Sequence, residues 1–141
     1  MNELLLTALS QYGIKEITGS NHNPTILKYF SEIGHEWVKD DETAWCSAFI
    51  NWCALKAGYE HSGKLNARSW LSVGTELKLP VLGCVVVLWR TAKNSGFGHV
   101  GLYIGEDKDY VYLLGGNQGN EVNISKFPKY RVLSYRNLNK I

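Results

Sequence analysis

The sequence predicts an α+β domain, with helices first and antiparallel strands after them. Three observations carry this reading. Apolar residues recur at helical spacing in the first half, at Leu4, Leu5, Ala8, Leu9 and Tyr12 and again at Ile26, Leu27, Phe30 and Ile33. After Pro80 the pattern changes to β-branched and alternating runs, above all Cys84-Val85-Val86-Val87-Leu88-Trp89. A polar stretch, Gly105-Glu106-Asp107-Lys108-Asp109, then separates two alternating runs as a hairpin turn would. At 141 residues the chain fits one hydrophobic core. Its 45% apolar and 20% charged content excludes wholesale disorder.

Taken in order, the first helix covers residues 3–12 and ends at Gly13, and a polar loop runs from Glu16 to Asn23. Asn23-Pro24 opens a second helix, with Asn as N-cap and Pro at the first helical position, and that helix stops at Gly34. Lys39-Asp40-Asp41-Glu42 is a charged loop. Thr43 to Ala57 is apolar almost all round, which predicts a buried central helix capped by Asp41 or Thr43 and closed by Gly58. A short helical turn is expected over 66–71. The run 84–89 suits a strand buried on both faces, and Gly98–Ile104 and Tyr110–Leu114 form the hairpin. Val122–Ile124 and Arg131–Tyr135 supply one or two further strands.

Composition narrows the function. A net charge of +2 lacks the strong basic excess of a nucleic-acid binder. Three cysteines are an odd count for a disulfide framework. Cys46 and Cys53 stand two helical turns apart, roughly 10 Å, beyond the reach of a bridge. No CxxC occurs and the four His are scattered, so neither a structural zinc nor another metal or cofactor is expected. Leu4-Leu5-Leu6 is too short for a signal peptide or a membrane span. The expectation is a soluble monomer made in a reducing cytoplasm, with no membrane insertion.

Cys46 falls at the start of the buried helix, where the helix dipole favours a thiolate. His99 lies early in a strand, after Gly96-Phe97-Gly98, and an imidazole can take the thiol proton and return it to a leaving amine. The charges of Asp40, Asp41 and Glu42 oppose thiolate formation. If Ile104 pairs with Tyr110, His99 stands opposite Gly115, and Asn117 shares its face and orients the imidazole. A one-residue slip would put Gln118 there instead. Cys53 and Cys84 read as small buried hydrophobes, and His22, His35 and His61 as surface imidazoles. Asp107 and Asp109 read as a solvated turn, since two carboxylates fall short of a calcium site. Trp45, Trp52 and Trp89 read as core, while Trp37 and Trp70 are better placed for a groove wall.

The segments Asp41-Glu42-Thr43-Ala44-Trp45-Cys46-Ser47-Ala48-Phe49, Gly98-His99-Val100-Gly101 and Gly115-Gly116-Asn117-Gln118, in that order, resemble the CHAP and NlpC/P60 group of papain-like cysteine peptidases and amidases. The likeness is to a compact subset of phage endolysins and cell-wall hydrolases. Gly13-Ile14-Lys15-Glu16, His22-Asn23-Pro24 and Val132-Leu133-Ser134-Tyr135-Arg136 extend it over nearly the whole chain.

The resemblance implies a papain-like catalytic domain over residues 1–141 that hydrolyses an amide or peptide bond of peptidoglycan, as an N-acetylmuramoyl-L-alanine amidase or an endopeptidase. Cys46 would attack the carbonyl, His99 would act as base and then acid, and Asn117 would orient it. Backbone N–H groups at the helix start would hold the oxyanion. Glu16, Asn23, Asp41, Trp45, Trp70 and Gln118 are assigned to substrate contact. Gly83-Cys84 stands where such proteins commonly have Gly-Asp. Acyl transfer on the same fold and a non-catalytic wall-binding module are the alternatives. The place of action is the bacterial wall, reached after release or export by another system, and a secreted antibacterial effector would need an immunity partner.

Overall fold

The fold is that of a computed structural model, which describes residues 2–19 and 22–141; the expected loop at Ser20 and Asn21 lies outside the described residues. Helix α1 spans Glu3–Leu9, shorter than the sequence predicts, because the chain leaves helical geometry in a series of turns that ends at Gly13. Asn2 caps it, accepting from Leu5 N–H at 2.8 Å. Helix α2 spans Pro24–Ser31, capped by Asn23 as expected, with the Asn23 side chain accepting from Thr25 N–H at 2.8 Å. Helix α3, Cys46–Ala57, is buried along most of its length and ends at Gly58 with φ +82°. Its N-cap is Trp45, not Asp41 or Thr43, and no side chain caps it. A 3₁₀ turn follows at Ala67–Ser72.

Six strands form one antiparallel sheet: β1 Thr75–Leu77, β2 Val85–Trp89, β3 Gly98–Glu106, β4 Tyr110–Gly115, β5 Asn123–Pro128 and β6 Val132–Asn137. They lie in the order β1-β6-β2-β3-β4-β5. Thus α+β is the fold class, as the sequence predicts.

That order has a geometric consequence. β5 and β6 are four strand spacings apart, roughly 19 Å across a flat sheet at about 4.8 Å per strand. Only Lys129–Arg131 join them, and Pro128 to Val132 can reach at most about 14 Å. The sheet must therefore curl until its β5 side approaches the end of β2. One face packs on the helices through Val85, Val87, Val100, Leu102 and Leu114. The other lines the inside of the curl with Val86, Leu88, Val111 and Leu113. β2 is buried on both faces, which is why its sequence is continuously apolar.

Beneath α3, Tyr29 stands 5.1 Å from both Phe49 and Trp52 and 6.0 Å from Trp45, centroid to centroid. Its hydroxyl donates to Gln11 Oε1 at 2.7 Å and the Trp52 indole N–H to Glu32 Oε1 at 2.7 Å, so the polar ends of these rings have partners. No described helix is long and apolar enough to cross a membrane.

Candidate active site

Cys46 is the first residue of α3, and His99 the second of β3; each is 7% exposed. Burial pushes the Cys46 thiol up. Hydrogen bonding to His99 and its charge, with the Val100 and Ser47 backbone groups, outweigh that penalty and hold the thiol below its ordinary range. Burial likewise opposes the charged form of His99, yet its interactions with Cys46 and Gln118 raise its pKa overall. Each shift favours the charged form, so the two groups tend towards thiolate and imidazolium. The other thiols differ: burial drives Cys53 well above the ordinary thiol range and Cys84 above it, as packing residues require. All three cysteines are free.

The orienting group is Gln118, not Asn117. The β3–β4 hairpin pairs Leu102 with Leu114, two residues out of the expected register, and a bulge at Ile104 absorbs part of the offset. β4 ends at Gly115, and Asn117 takes a left-handed conformation, φ +57°, that turns the chain. Gln118 is carried back under the imidazole, and its Oε1 accepts from His99 Nε2 at 2.9 Å. The Gln118 amide nitrogen donates to the carbonyls of Leu113 and Asn123 at 3.1 and 2.8 Å, so the amide cannot turn over. Its oxygen must face the ring, Nε2 must carry hydrogen, and Nδ1 is left for the sulfur.

Both glycines before Asn117 are sterically required. A Cβ on Gly115 would lie 2.6 Å from Gln118 Oε1, and one on Gly116 would lie 2.6 Å from the Trp45 ring and 2.8 Å from Phe49 Cβ.

The residues assigned to substrate contact divide. Asp41 is fully buried: its carboxylate accepts from the N–H groups of Ile17 and Asn23, both at 2.8 Å, and meets His22 Nδ1 at 3.1 Å. It neither caps α3 nor faces a groove, but ties a loop. Asn23 is the α2 cap, and its amide donates to the Lys15 carbonyl. Trp45 is fully buried and donates to Glu16 Oε2 at 2.8 Å, which engages the Glu16 carboxylate in holding the core. Trp70 is also fully buried, with its indole N–H on Ser47 Oγ at 3.0 Å, so it is core and not groove wall. The polar sequence around it misleads because Ser47 and Asn51 form a buried network that binds the 62–64 loop. Trp37 is exposed and stands beside His35. His22 and His35 are not free surface imidazoles: His35 Nε2 meets the Gly63 carbonyl at 2.8 Å. Asp107 does close a turn, accepting from Asp109 and Tyr110 N–H.

A cleft of about 490 Å³ opens beside the imidazole, inside the curl of the sheet. Asn117 and Gln118 both line it. Trp89, read from sequence as core, is half-buried and forms a wall, and Phe127 stacks on His99 with centroids 4.9 Å apart. The loop that precedes His99 is held by Arg68, whose guanidinium donates to the carbonyls of Phe97, Lys93 and Ala92 at 2.9, 2.9 and 3.1 Å. Sequence reasoning passes over Arg68, Arg90, Lys126, Phe127 and Arg131. They lie on the 3₁₀ turn, after β2, on β5 and in the β5–β6 link, and no local pattern joins these segments. No group of three or more His, Cys, Asp or Glu suited to a metal occurs among the described residues.

A papain-like α+β domain is the class that this arrangement defines, with a helix-start cysteine facing a strand histidine. No family model and no curated protein matches the sequence. Among solved structures it resembles a protein described as similar to lipoprotein, NLP/P60 family, from Staphylococcus aureus subsp. aureus Mu50. The TM-score is 0.55 at 17% identity, and the match covers 95% of this chain and 40% of that chain. The likeness establishes a shared fold, and this chain spans less than half the length of that neighbour.

Proposed function

We propose that this chain is a cysteine amidase or endopeptidase that hydrolyses an amide bond in the peptide part of bacterial peptidoglycan. The carrying observation is the Cys46–His99 pair, shifted towards thiolate and imidazolium and held in one tautomer by Gln118. The fold shared with an NLP/P60 protein and the ordered Cys, His and Gly-Gly-Asn-Gln segments support the wall as the place of the substrate.

In the reaction, Cys46 Sγ adds to the scissile carbonyl carbon. The α3 N-terminus has no side-chain cap, so its first N–H groups, including that of Cys46, are available to the oxyanion. His99 gives its proton to the amine as the C–N bond breaks, which leaves a thioester on Cys46 and a neutral imidazole. Water then adds to the thioester, with His99 taking one proton, and the C–S bond breaks to release the acid and restore the ion pair. Gln118 keeps the imidazole in register throughout.

Purified sacculi incubated with the wild type and with Cys46→Ala test this directly. The wild type releases soluble muropeptides whose new termini identify the bond, and Cys46→Ala releases none. Equal release by both proteins, or none by either, would falsify the reading.

A further inference from the structure

Phe127 meets His99 by a route that the pairing across β4 does not supply. On β4 it pairs with Val111, whose partner on β3 is Glu106, at the far end of that strand from His99. On the other side of the curl the path is short. Val132, just beyond the β5–β6 link, pairs with Leu88, and Leu88 pairs with His99. The stack of the two rings, with centroids 4.9 Å apart and 30° between their planes, is therefore made by the closure of the sheet. Phe127 is half-buried and packs on the inner face of the curl, with Val111 and Leu113.

The charges around His99 give that neighbour something to do. Arg90, after β2, opposes the imidazolium. Lys126 on β5 and Arg131 in the β5–β6 link also line the cleft, and none of the lining residues is acidic. The Lys126 ammonium stands over Tyr110 at 4.5 Å and the Arg131 guanidinium over Trp89 at 5.5 Å, while Arg68 of the 3₁₀ turn is bound to loop carbonyls. Among these groups the Cys46 thiolate, at the start of α3, is the one anion. An aromatic face is its neutral counterpart: it attracts a cation within about 6 Å of the ring centroid, a range that includes this stack. The contact also opposes turning. Gln118 binds at Nε2, close to the Cβ–Cγ axis about which the imidazole turns, and a ring laid against the face adds resistance to a rotation that would carry Nδ1 off the sulfur. We infer that Phe127 is a positioning residue for His99: its ring holds the imidazole plane towards Cys46 and favours the imidazolium over the neutral ring. Its effect on turnover rests on the hydrolase reading, and its effect on the imidazole does not.

The test titrates the imidazoles of histidine-labelled Cys46→Ala protein by NMR, where the thiol no longer shares the proton; His99 is assigned by its loss in His99→Ala. In the Cys46→Ala background Phe127→Leu removes the aromatic face and keeps an apolar side chain, and the His99 midpoint should move to lower pH. Phe127→Tyr restores the face and should bring the midpoint back. Wetter surroundings alone act in the opposite direction, because they favour the charged ring. A midpoint that stays or rises in Phe127→Leu therefore overturns the role, as does a Tyr variant that behaves like the Leu. Unmoved signals of His22, His35 and His61 show that the fold is intact, and Phe127→Met carries the same expectation where Phe127→Leu does not fold. With Cys46 in place, Phe127→Leu should lower kcat on muropeptides severalfold with little change in KM, and a loss confined to KM would make Phe127 a substrate wall and overturn the role. A shifted midpoint with sacculi left intact by the wild type sinks the hydrolase reading alone. Cleaved sacculi with an unmoved midpoint sink the positioning role alone.

Discussion

Gln118 Oε1 lies 2.9 Å from His99 Nε2, while the amide nitrogen of the same side chain is committed to the Leu113 and Asn123 carbonyls. A glutamine held at one end by backbone acceptors presents only its oxygen at the other. It therefore fixes both the rotation and the tautomer of the imidazole without bringing in a negative charge. An unfixed ring would present Nδ1 to Cys46 for only part of the time.

Replacing Gln118 should therefore act on the chemical step more than on binding. Gln118→Ala is expected to lower kcat on muropeptides by at least about tenfold, a fraction of what general acid–base catalysis supplies. Gln118→Glu keeps the acceptor but sets its second oxygen against the Leu113 and Asn123 carbonyls, so it should not rescue the loss. Asn117→Gly suits the positive φ at that position and should cost much less than Gln118→Ala. A larger kcat loss for Asn117→Gly than for Gln118→Ala would return the orienting role to Asn117.

The ion pair predicts a pattern of thiol reactivity. Cys46 is held below, and Cys53 and Cys84 above, the ordinary thiol range. At about pH 6 iodoacetamide should label Cys46 alone, as peptide mass mapping would show. His99→Ala removes the partner that stabilises the thiolate, and labelling at that pH should slow markedly. Activity should rise as pH passes the lowered thiol pKa and fall as it passes the raised imidazole pKa, giving a bell that belongs to the coupled pair.

Gly116 gives a test of packing. Its missing Cβ leaves room for the Trp45 ring and Phe49 Cβ, both on the wall of the buried core. Gly116→Ala would force the 116–118 turn away from α3 or displace a ring that has no free volume. The expected cost is about 1–3 kcal/mol, seen as a lower Tm in a circular dichroism melt. Gly96→Ala meets no neighbour and is the control.

The pattern of legible and illegible features follows from the range of the interactions. Asn23-Pro24, Gly58 and the all-apolar α3 announce themselves within a few residues, and so do the Cys46 and His99 segments. Register is different. The bulge at Ile104 and the early end of β4 are decided by packing across the sheet, so Asn117 takes the role that local parity assigns it only on paper. β1, Thr75–Leu77, is three residues of a sheet edge that buries little, and no apolar pattern marks it. Trp70 and Trp89 exchange their expected places because a buried serine–asparagine network surrounds the first and the curled sheet opens beside the second. The cleft is the extreme case: Trp89, Arg90, Phe127 and Arg131 line it together because a short link brings β5 round towards β2.

Asp41 predicts how the domain responds to acid. Burial raises its pKa, but the Asn23 and Ile17 N–H groups and His22 together hold it below the ordinary carboxylate range. A carboxyl whose pKa is lower folded than unfolded stabilises the fold above its unfolded value, near 3.9, and that stability is lost as pH falls through the folded value. The wild type should therefore hold its Tm from neutrality down to about pH 5 and lose it progressively below pH 4. Both N–H groups bond to the same oxygen, Oδ2, so Asp41→Asn can keep that acceptor and turn its amide nitrogen to His22 Nδ1, exchanging charged for neutral hydrogen bonds. A modest loss of about 1 kcal/mol at pH 7 is expected. The variant should also show a shallower decline between pH 5 and 2, because the group that titrates is gone. Melts of both proteins across that range decide the matter, and parallel pH profiles would show that the acid sensitivity comes from other carboxylates.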